Sequence, residues 1–186
     1  MADGMMSDLA MSAKDMAVKI VKGTGEVAMS MTDAVSDTVV KAMEGAGDVA
    51  TTATATIADV VHGAFAGVME AGGDAMQATT DVVGGVIKGV AKVSGDVAMA
   101  AHDVVHEVVK GAGGAGADVA QVALAAVKGS IAATTDVGGD VAGVTKMAIE
   151  GALKGAAEIS EEAMHSVRDV LIAGVEGAKD VIDAMK

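Results

Sequence analysis

The sequence predicts an all-α protein: one very long, nearly continuous helix that assembles side by side with other copies. Residue classes repeat every eleven positions from Gly4 to the end of the chain, without insertion or deletion. Apolar residues recur at helical spacing within each repeat, and the chain contains no proline. Eleven residues make three turns at about 3.67 residues per turn, so equivalent positions point to the same side of a helix.

The first position of the repeat, counted from Asp15, is mostly acidic and defines a polar stripe. Successive members would lie about 16 Å apart along the helix axis, too far for two of them to share one Ca²⁺. We therefore interpret the stripe as a solvated face. It contains Asp15, Glu26, Asp37, Asp48, Asp59, Glu70, Asp81, Asp103, Asp136, Glu158, Asp169 and Asp180.

The opposite side of the predicted helix is a broad apolar arc of small side chains. Valine dominates the second position of the repeat, and glycine recurs at the ninth position, mostly every 22 residues. Glycine and alanine allow helix backbones to approach closely. We predict helix packing through Gly23, Gly45, Gly67, Gly89, Gly111, Gly155 and Gly177, together with Val27, Val49, Val60, Val82, Val104, Val137 and Val170.

These patterns predict a single repetitive domain over 1–186, with about eight 22-residue units from residue 4 to residue 179. A continuous helix would extend on the order of 280 Å. Each interior glycine costs roughly 1 kcal/mol relative to alanine, and the chain has 25 glycines. Such a helix needs a partner that covers its apolar arc, because it would be unstable alone.

The glycine-rich points leave a second architecture open. Gly72-Gly73, Ser94-Gly95 and Gly138-Gly139 each precede an aspartate that could cap a new helix. Breaks at these points would give helices of about 20 residues in a bundle or solenoid. The segment 111–116 is the best single candidate for a hinge that folds the chain into a hairpin.

Composition excludes several classes of function. The net charge of −13 disfavours nucleic-acid binding, which needs clustered lysine and arginine. The chain has no cysteine, which excludes disulfides and thiol chemistry. The N-terminus carries acids where a standard signal peptide is basic, and no 18-residue window is free of charge. This favours a cytoplasmic or membrane-associated location over secretion and leaves the compartment unknown.

Two motifs invite a chemical interpretation. Gly111, Gly113 and Gly116 match the dinucleotide-binding pattern G-x-G-x-x-G, but the residues before them fit a helix where the motif requires a strand. His102 and His106 are one helical turn apart, yet the sequence supplies no third metal ligand. We therefore predict no catalytic residue, no cofactor and no metal site, and hence a protein that is not an enzyme.

Short segments of the chain resemble known repeats. Val21-Lys22-Gly23, residues 60–63 and Val109-Lys110-Gly111 resemble the eleven-residue repeats of synucleins. The 22-residue doubling is similar to exchangeable apolipoproteins, and the whole pattern to hendecad coiled coils. The resemblance implies either a helix lying on lipid or a self-associating fibre. The acidic stripe differs from the lysine rows of synuclein repeats. The absence of proline differs from apolipoprotein repeats, which are separated by prolines.

Function follows from which partner covers the apolar arc. We predict a structural self-assembling protein that forms a helical coiled-coil oligomer, fibre, sheet or tube through its Gly/Ala/Val face, with copies of itself as partner. The alternative is a peripheral amphipathic protein that coats a membrane, droplet or inclusion surface. The sign of the charge and the glycines favour assembly.

Overall fold

The structure is a computed structural model and describes residues 31–45, 49–70 and 74–185, together with Met11, Lys14, Asp15 and Val18. Within this part the chain forms eight α-helices and no strand, which confirms the all-α prediction. The helices are α1 (Met31–Gly45), α2 (Val49–Glu70), α3 (Ala75–Lys92), α4 (Val97–Ala115), α5 (Val119–Asp136), α6 (Val141–Ile159), α7 (Glu161–Gly174) and α8 (Ala178–Ala184).

The described chain is therefore divided into separate helices, where we had expected one continuous helix. Helices α3 to α6 begin at Ala75, Val97, Val119 and Val141, so each start follows the previous one by 22 residues. One helix and its turn together fill two eleven-residue repeats. The turns leave the phase of the pattern undisturbed, so an unbroken repeat does not imply an unbroken helix. The predicted hinge at 111–116 is a turn only at its end, because α4 continues to Ala115.

The turns repeat one another in their chemistry. Ser94, Gly116 and Gly138 adopt left-handed conformations with φ of 56°, 70° and 71°. In each turn the next residue donates its N–H to a carbonyl five residues earlier, which closes the helix end. The residue after that is an aspartate whose carboxylate accepts from backbone N–H groups of the following helix, namely Asp96, Asp118 or Asp140.

The helices form two layers. Helices α1, α3, α5 and α7 lie side by side in the odd layer, and α2, α4, α6 and α8 in the even layer. Each described helix packs against the helices one and two places away in the chain, and no described pair further apart is in contact. The core between the layers is mainly valine and alanine, with fully buried Ile87, Ile149 and Leu171 among the larger side chains. This is the contact pattern of a helical solenoid.

Glycines dock neighbouring helices within a layer. A Cβ placed on Gly85 would lie 2.7 Å from the Thr32 carbonyl oxygen, and one on Gly89 would lie 2.9 Å from that of Ser36. In the even layer, a Cβ on Gly155 would lie 2.6 Å from the His106 carbonyl oxygen. Each glycine therefore presents a Cα–H group to a carbonyl of the neighbouring helix. The order of the contacts at Gly85 and Gly89 makes α1 parallel to α3. In the same way, the contacts of Gly151 with His102 and of Gly155 with His106 make α4 parallel to α6.

The predicted packing residues occupy several environments. Gly67, Gly89 and Gly155 are buried, Gly111 faces open space, and Gly177 precedes α8 with a φ of 77°. Val60, Val82 and Val104 are buried, Val170 is half-buried and Val137 is 38% exposed. Gly45 ends α1 and Val49 begins α2. The side-chain environments of these two, and Gly23 and Val27 altogether, lie outside the described residues.

Sequence reasoning missed a second set of docking glycines. Gly85, Gly129 and Gly151 occupy the fifth position of the repeat, whereas we had predicted packing glycines at the ninth position. The fifth position is mostly occupied in turn by a capping aspartate, such as Asp96, and by a docking glycine. An eleven-residue repeat superimposes these two kinds of residue. Comparing only residues 22 positions apart would have separated them and revealed the docking glycines.

Candidate functional site

Helix α4 departs from the docking pattern at two positions, Glu107 and Gly111. Gly85, Gly129 and Gly151 belong to a series of fifth-position residues spaced 22 apart. The member of this series in α4 is Glu107 and not a glycine. Four residues later, Gly111 has no atom of another helix within 4 Å of a Cβ placed on it. The contact between α2 and α4 therefore lacks the close glycine docking seen between α4 and α6, and it contains a carboxylate instead.

Glu107 is the centre of a histidine–carboxylate cluster on the outer face of the even layer. Its Oε2 lies 3.3 Å from Nε2 of His62 on α2, and its Oε1 lies 3.1 Å from Nδ1 of His106 on its own helix. The side chains of Glu107 and His106 are 19% and 13% exposed, so their contact is largely shielded from water, whereas the His62 side chain is 58% exposed. The carboxylate connects α2 to α4.

A second carboxylate connects α4 to α6. Oε1 of Glu158 lies 2.8 Å from Nε2 of His106, and its Oε2 accepts from the Lys110 ammonium at 2.9 Å. These hydrogen bonds, first to Lys110 and then to His106, lower the pKa of Glu158 to about 2. The same contact raises the pKa of Lys110. Three helices of the even layer are thus connected through side chains.

His102 extends the cluster along α4. Its Nδ1 lies 2.9 Å from Oδ1 of Asp103, and its ring stacks parallel to that of His106 with 6.2 Å between the centroids. Within the part of the chain that the structure describes, no three histidine, aspartate or glutamate side chains are arranged to hold a metal ion. His102 and His106 contact different carboxylates: His102 contacts Asp103, and His106 contacts Glu107 and Glu158.

Asp59 on α2 is a member of the polar stripe with a buried, unpaired carboxylate oxygen. Its Oδ2 is buried and has no hydrogen-bond partner among the described residues. Burial raises the pKa of the Asp59 carboxyl, and the nearby His62 acts in the opposite direction. A buried acceptor without a partner costs about 1–3 kcal/mol, so this position opposes folding.

The other members of the polar stripe do not form one continuous face, because the turns distribute them between the layers. Asp37, Asp81 and Asp103 are half-buried. Asp15, Glu70, Asp136, Glu158, Asp169 and Asp180 are exposed, whereas Glu26 and Asp48 lie outside the described residues. Three of the stripe's contacts join helices of one layer: Asp37 with Lys92, Asp136 with Lys88, and Glu158 with Lys110.

A groove of about 400 Å³ crosses the outer face of the odd layer between α3 and α5. Its lining is small or apolar apart from two polar uncharged residues and one lysine: Met76, Thr80, Gln121, Leu124, Ala125, Lys128, Gly129 and Ala132. Lys128 forms no ion pair with a described residue. The two outer faces differ in character, since the even layer carries the charged cluster and the odd layer this low-charge groove.

No protein-family model, curated protein or solved structure matches the chain. Among the described residues, none of the helices combines the length and the apolar character needed to cross a membrane. The dinucleotide-binding pattern at Gly111, Gly113 and Gly116 lies in the last turn and cap of α4, with helix before it and no strand.

The low pKa of Glu158 predicts a defined acid sensitivity. A carboxylate whose pKa falls on folding stabilises the native state above its ordinary pKa of about 4.5, and the contribution disappears as the pH falls towards 2. We expect Glu158→Gln to be less stable than the native chain at pH 6 and to approach it at pH 2. Urea unfolding between these pH values measures the difference.

The matched control for this prediction is Glu176→Gln, which removes an exposed carboxylate with no ion pair to a described residue. Its stability difference from the native chain should change little across the same range. An equal difference for Glu158→Gln at pH 6 and pH 2 would contradict the role given to Lys110 and His106.

Proposed function

We propose that the protein is structural and non-enzymatic, and that its folded chains assemble with one another. The observation that carries this proposal is the repetitive two-layer packing of the described helices, in which parallel helices dock on one another through small residues. The same kind of packing can form between copies of the chain. Ile172 of α7 and Met185 after α8 are large apolar side chains that are each 40% exposed.

The histidine–carboxylate cluster supports a structural role better than a catalytic one. Its members contact one another across α2, α4 and α6, and none of them is a serine, threonine or cysteine nucleophile. Nucleophilic catalysis needs such a group beside a base. Side-chain bridges between parallel helices instead hold the layer in register, as expected of a building unit.

Lipid binding is the second candidate function, and the groove between α3 and α5 favours it. Met76, Leu124 and Ala125 would contact acyl chains, while Lys128 would face an anionic headgroup. In this arrangement the outer face of the odd layer would contact the lipid surface. The net charge of −13 opposes this attraction over the rest of the surface.

Sedimentation equilibrium over a hundredfold concentration range tests assembly. We expect the mass to rise above that of the 18.1 kDa chain as concentration increases. Ile172→Glu combined with Met185→Glu should keep the chain monomeric, whereas Ala66→Glu combined with Ala157→Glu, at exposed positions of the even layer, should not. A native chain that stays monomeric throughout would refute assembly.

Flotation with phosphatidylglycerol vesicles tests the second candidate. If the groove binds lipid, the native chain floats and Met76→Glu prevents flotation, while the matched change Met99→Glu, at an exposed methionine outside the groove, does not. Because we favour assembly over lipid binding, we expect that the native chain does not float. Flotation of a chain that remains monomeric without lipid would favour the lipid-coating function.

A further inference from the structure

The contact between α2 and α4 is built differently from the contact between α4 and α6. In the latter, Gly151 and Gly155 of α6 lie against backbone carbonyl groups of α4. The equivalent residues of α4, 44 positions earlier, are Glu107 and Gly111. A Cβ placed on Gly111 would meet nothing within 4 Å. At these two positions, the backbone docking that holds α6 on α4 is therefore missing between α4 and α2, and a side chain joins the helices instead.

His106 lies between two carboxylates. Its Nδ1 is 3.1 Å from Oε1 of Glu107, and its Nε2 is 2.8 Å from Oε1 of Glu158. An ionised carboxylate only accepts hydrogen bonds, and a neutral imidazole has one N–H group to donate. Both contacts are therefore satisfied only when the ring carries a proton on each nitrogen. A neutral His106 leaves one of the two carboxylates without its donor.

Glu107 extends this dependence on a proton to α2. Its Oε2 lies 3.3 Å from Nε2 of His62, and this contact is an ion pair only when His62 is protonated. The carboxylate thus faces one histidine on α2 and one on its own helix. Histidine has an ordinary pKa of about 6.5, so its charge changes close to neutral pH.

The charges around the two histidines favour their protonated forms. The described charged groups that lie near His62 and His106 or contact their partners are four carboxylates, one ammonium and a third imidazole: Asp59, Asp103, Glu107, Glu158, Lys110 and His102. The carboxylates outnumber the positive groups. Loss of a proton from either ring therefore leaves negative charge that is not compensated.

We propose that the contact between α2 and α4 is a proton-sensitive seam, in which protonated His62 and His106 join the two helices through Glu107 and neutral rings release them. The seam lies within one chain, so it goes beyond the assembly proposed above and does not depend on it. The glycine contacts between α1 and α3 and between α4 and α6 require no proton. A rise in pH should therefore loosen α2 while α4 and α6 stay docked.

Hydrogen exchange of the dilute native chain tests the seam. A histidine that binds its proton more tightly in the folded chain stabilises the fold below pH 6.5, and this contribution is lost as the pH rises. After correction for intrinsic exchange, protection of residues 57–68 should fall at least about fivefold more than that of α6 between about pH 5.5 and pH 8. Glu158 stays ionised throughout, since its pKa is about 2. Equal changes in α2 and α6 would overturn the proposal.

Three variants identify the groups responsible. Glu107→Gln removes the charge that both histidines face, so α2 should be about fivefold less protected at pH 5.5 and lose its pH dependence. His165→Gln, at an exposed histidine of α7, should keep the native pH dependence. Asp59→Asn should keep it too, although burial raises the pKa of Asp59 and gives an effect of the same sign. Loss of the pH dependence in either of these two variants would overturn the assignment to the seam.

Nitrogen NMR of the imidazole rings provides a measurement that needs no substitution. The ring signals report the charge of each histidine across the same pH range. We expect the protection of α2 to fall over the pH range in which His62 or His106 loses its second ring proton. A fall in protection at a pH where neither ring changes charge would refute the seam, whatever the state of assembly.

Discussion

Gly151→Ala is expected to destabilise the protein by about 3 kcal/mol, because a methyl group at this position has no space. A Cβ on Gly151 would overlap the backbone carbonyl oxygen of His102. That oxygen belongs to the backbone of α4, so it cannot move aside as the end of a flexible side chain can. Accommodation would require α6 to separate from α4 along their whole contact. Urea unfolding measured by circular dichroism tests this expectation.

Gly111→Ala is the matched control, since it makes the same substitution in a helix where a Cβ meets nothing within 4 Å. There the higher helix propensity of alanine should stabilise the protein by up to about 1 kcal/mol. The two variants should therefore change stability in opposite directions. If both stabilise the protein, α4 and α6 are not docked through the backbone at Gly151.

Leu171→Ala is expected to cost about 3 kcal/mol, and its effect should be confined to one end of the molecule. Leu171 is fully buried, and it is among the largest side chains that anchor α7 to the rest of the protein. Removal of a buried leucine typically costs 2–5 kcal/mol through lost burial and the cavity left behind. Because each repeat contacts only its neighbours, α7 and α8 should unfold while α3 to α5 stay folded.

Hydrogen exchange resolves this effect along the chain. Amides of α7 and α8 should lose protection in Leu171→Ala, while those of α3 and α4 keep it. The exposed neighbour provides the control, since Ile172→Ala should change stability by less than about 0.5 kcal/mol in the monomer. Uniform loss of protection from α3 to α8 would contradict the repeat-by-repeat stability proposed for this fold.

Local chemistry made a large part of the fold predictable. The helical spacing of apolar residues and the absence of proline indicated an all-α chain, because strands would place neighbouring apolar positions on opposite faces. The aspartates at 74, 96 and 140 were recognised as possible caps, and in the structure each one caps a helix. Glycine before these aspartates suggested turns, although we preferred the continuous helix.

The candidate site could be predicted only in pieces. His102 and His106 were recognised as a pair one turn apart, and Glu158 as a member of the polar stripe. Nothing in the sequence places Glu158 beside His106, since they are 52 residues apart and meet only because α6 packs on α4. The significance of Glu107 likewise depends on the glycines that occupy its place in other helices.

The sequence by itself determined the helical period, the side of each helix that must be buried, and the residues that cap and end the helices. These features depend on neighbours within a few positions of each other, which the chain order specifies. Only the tertiary structure decided that the apolar arc is covered by the same chain folding back every 22 residues. A turn that preserves the repeat and an unbroken helix give the same periodic pattern, so the choice between them depends on long-range packing of glycine against backbone.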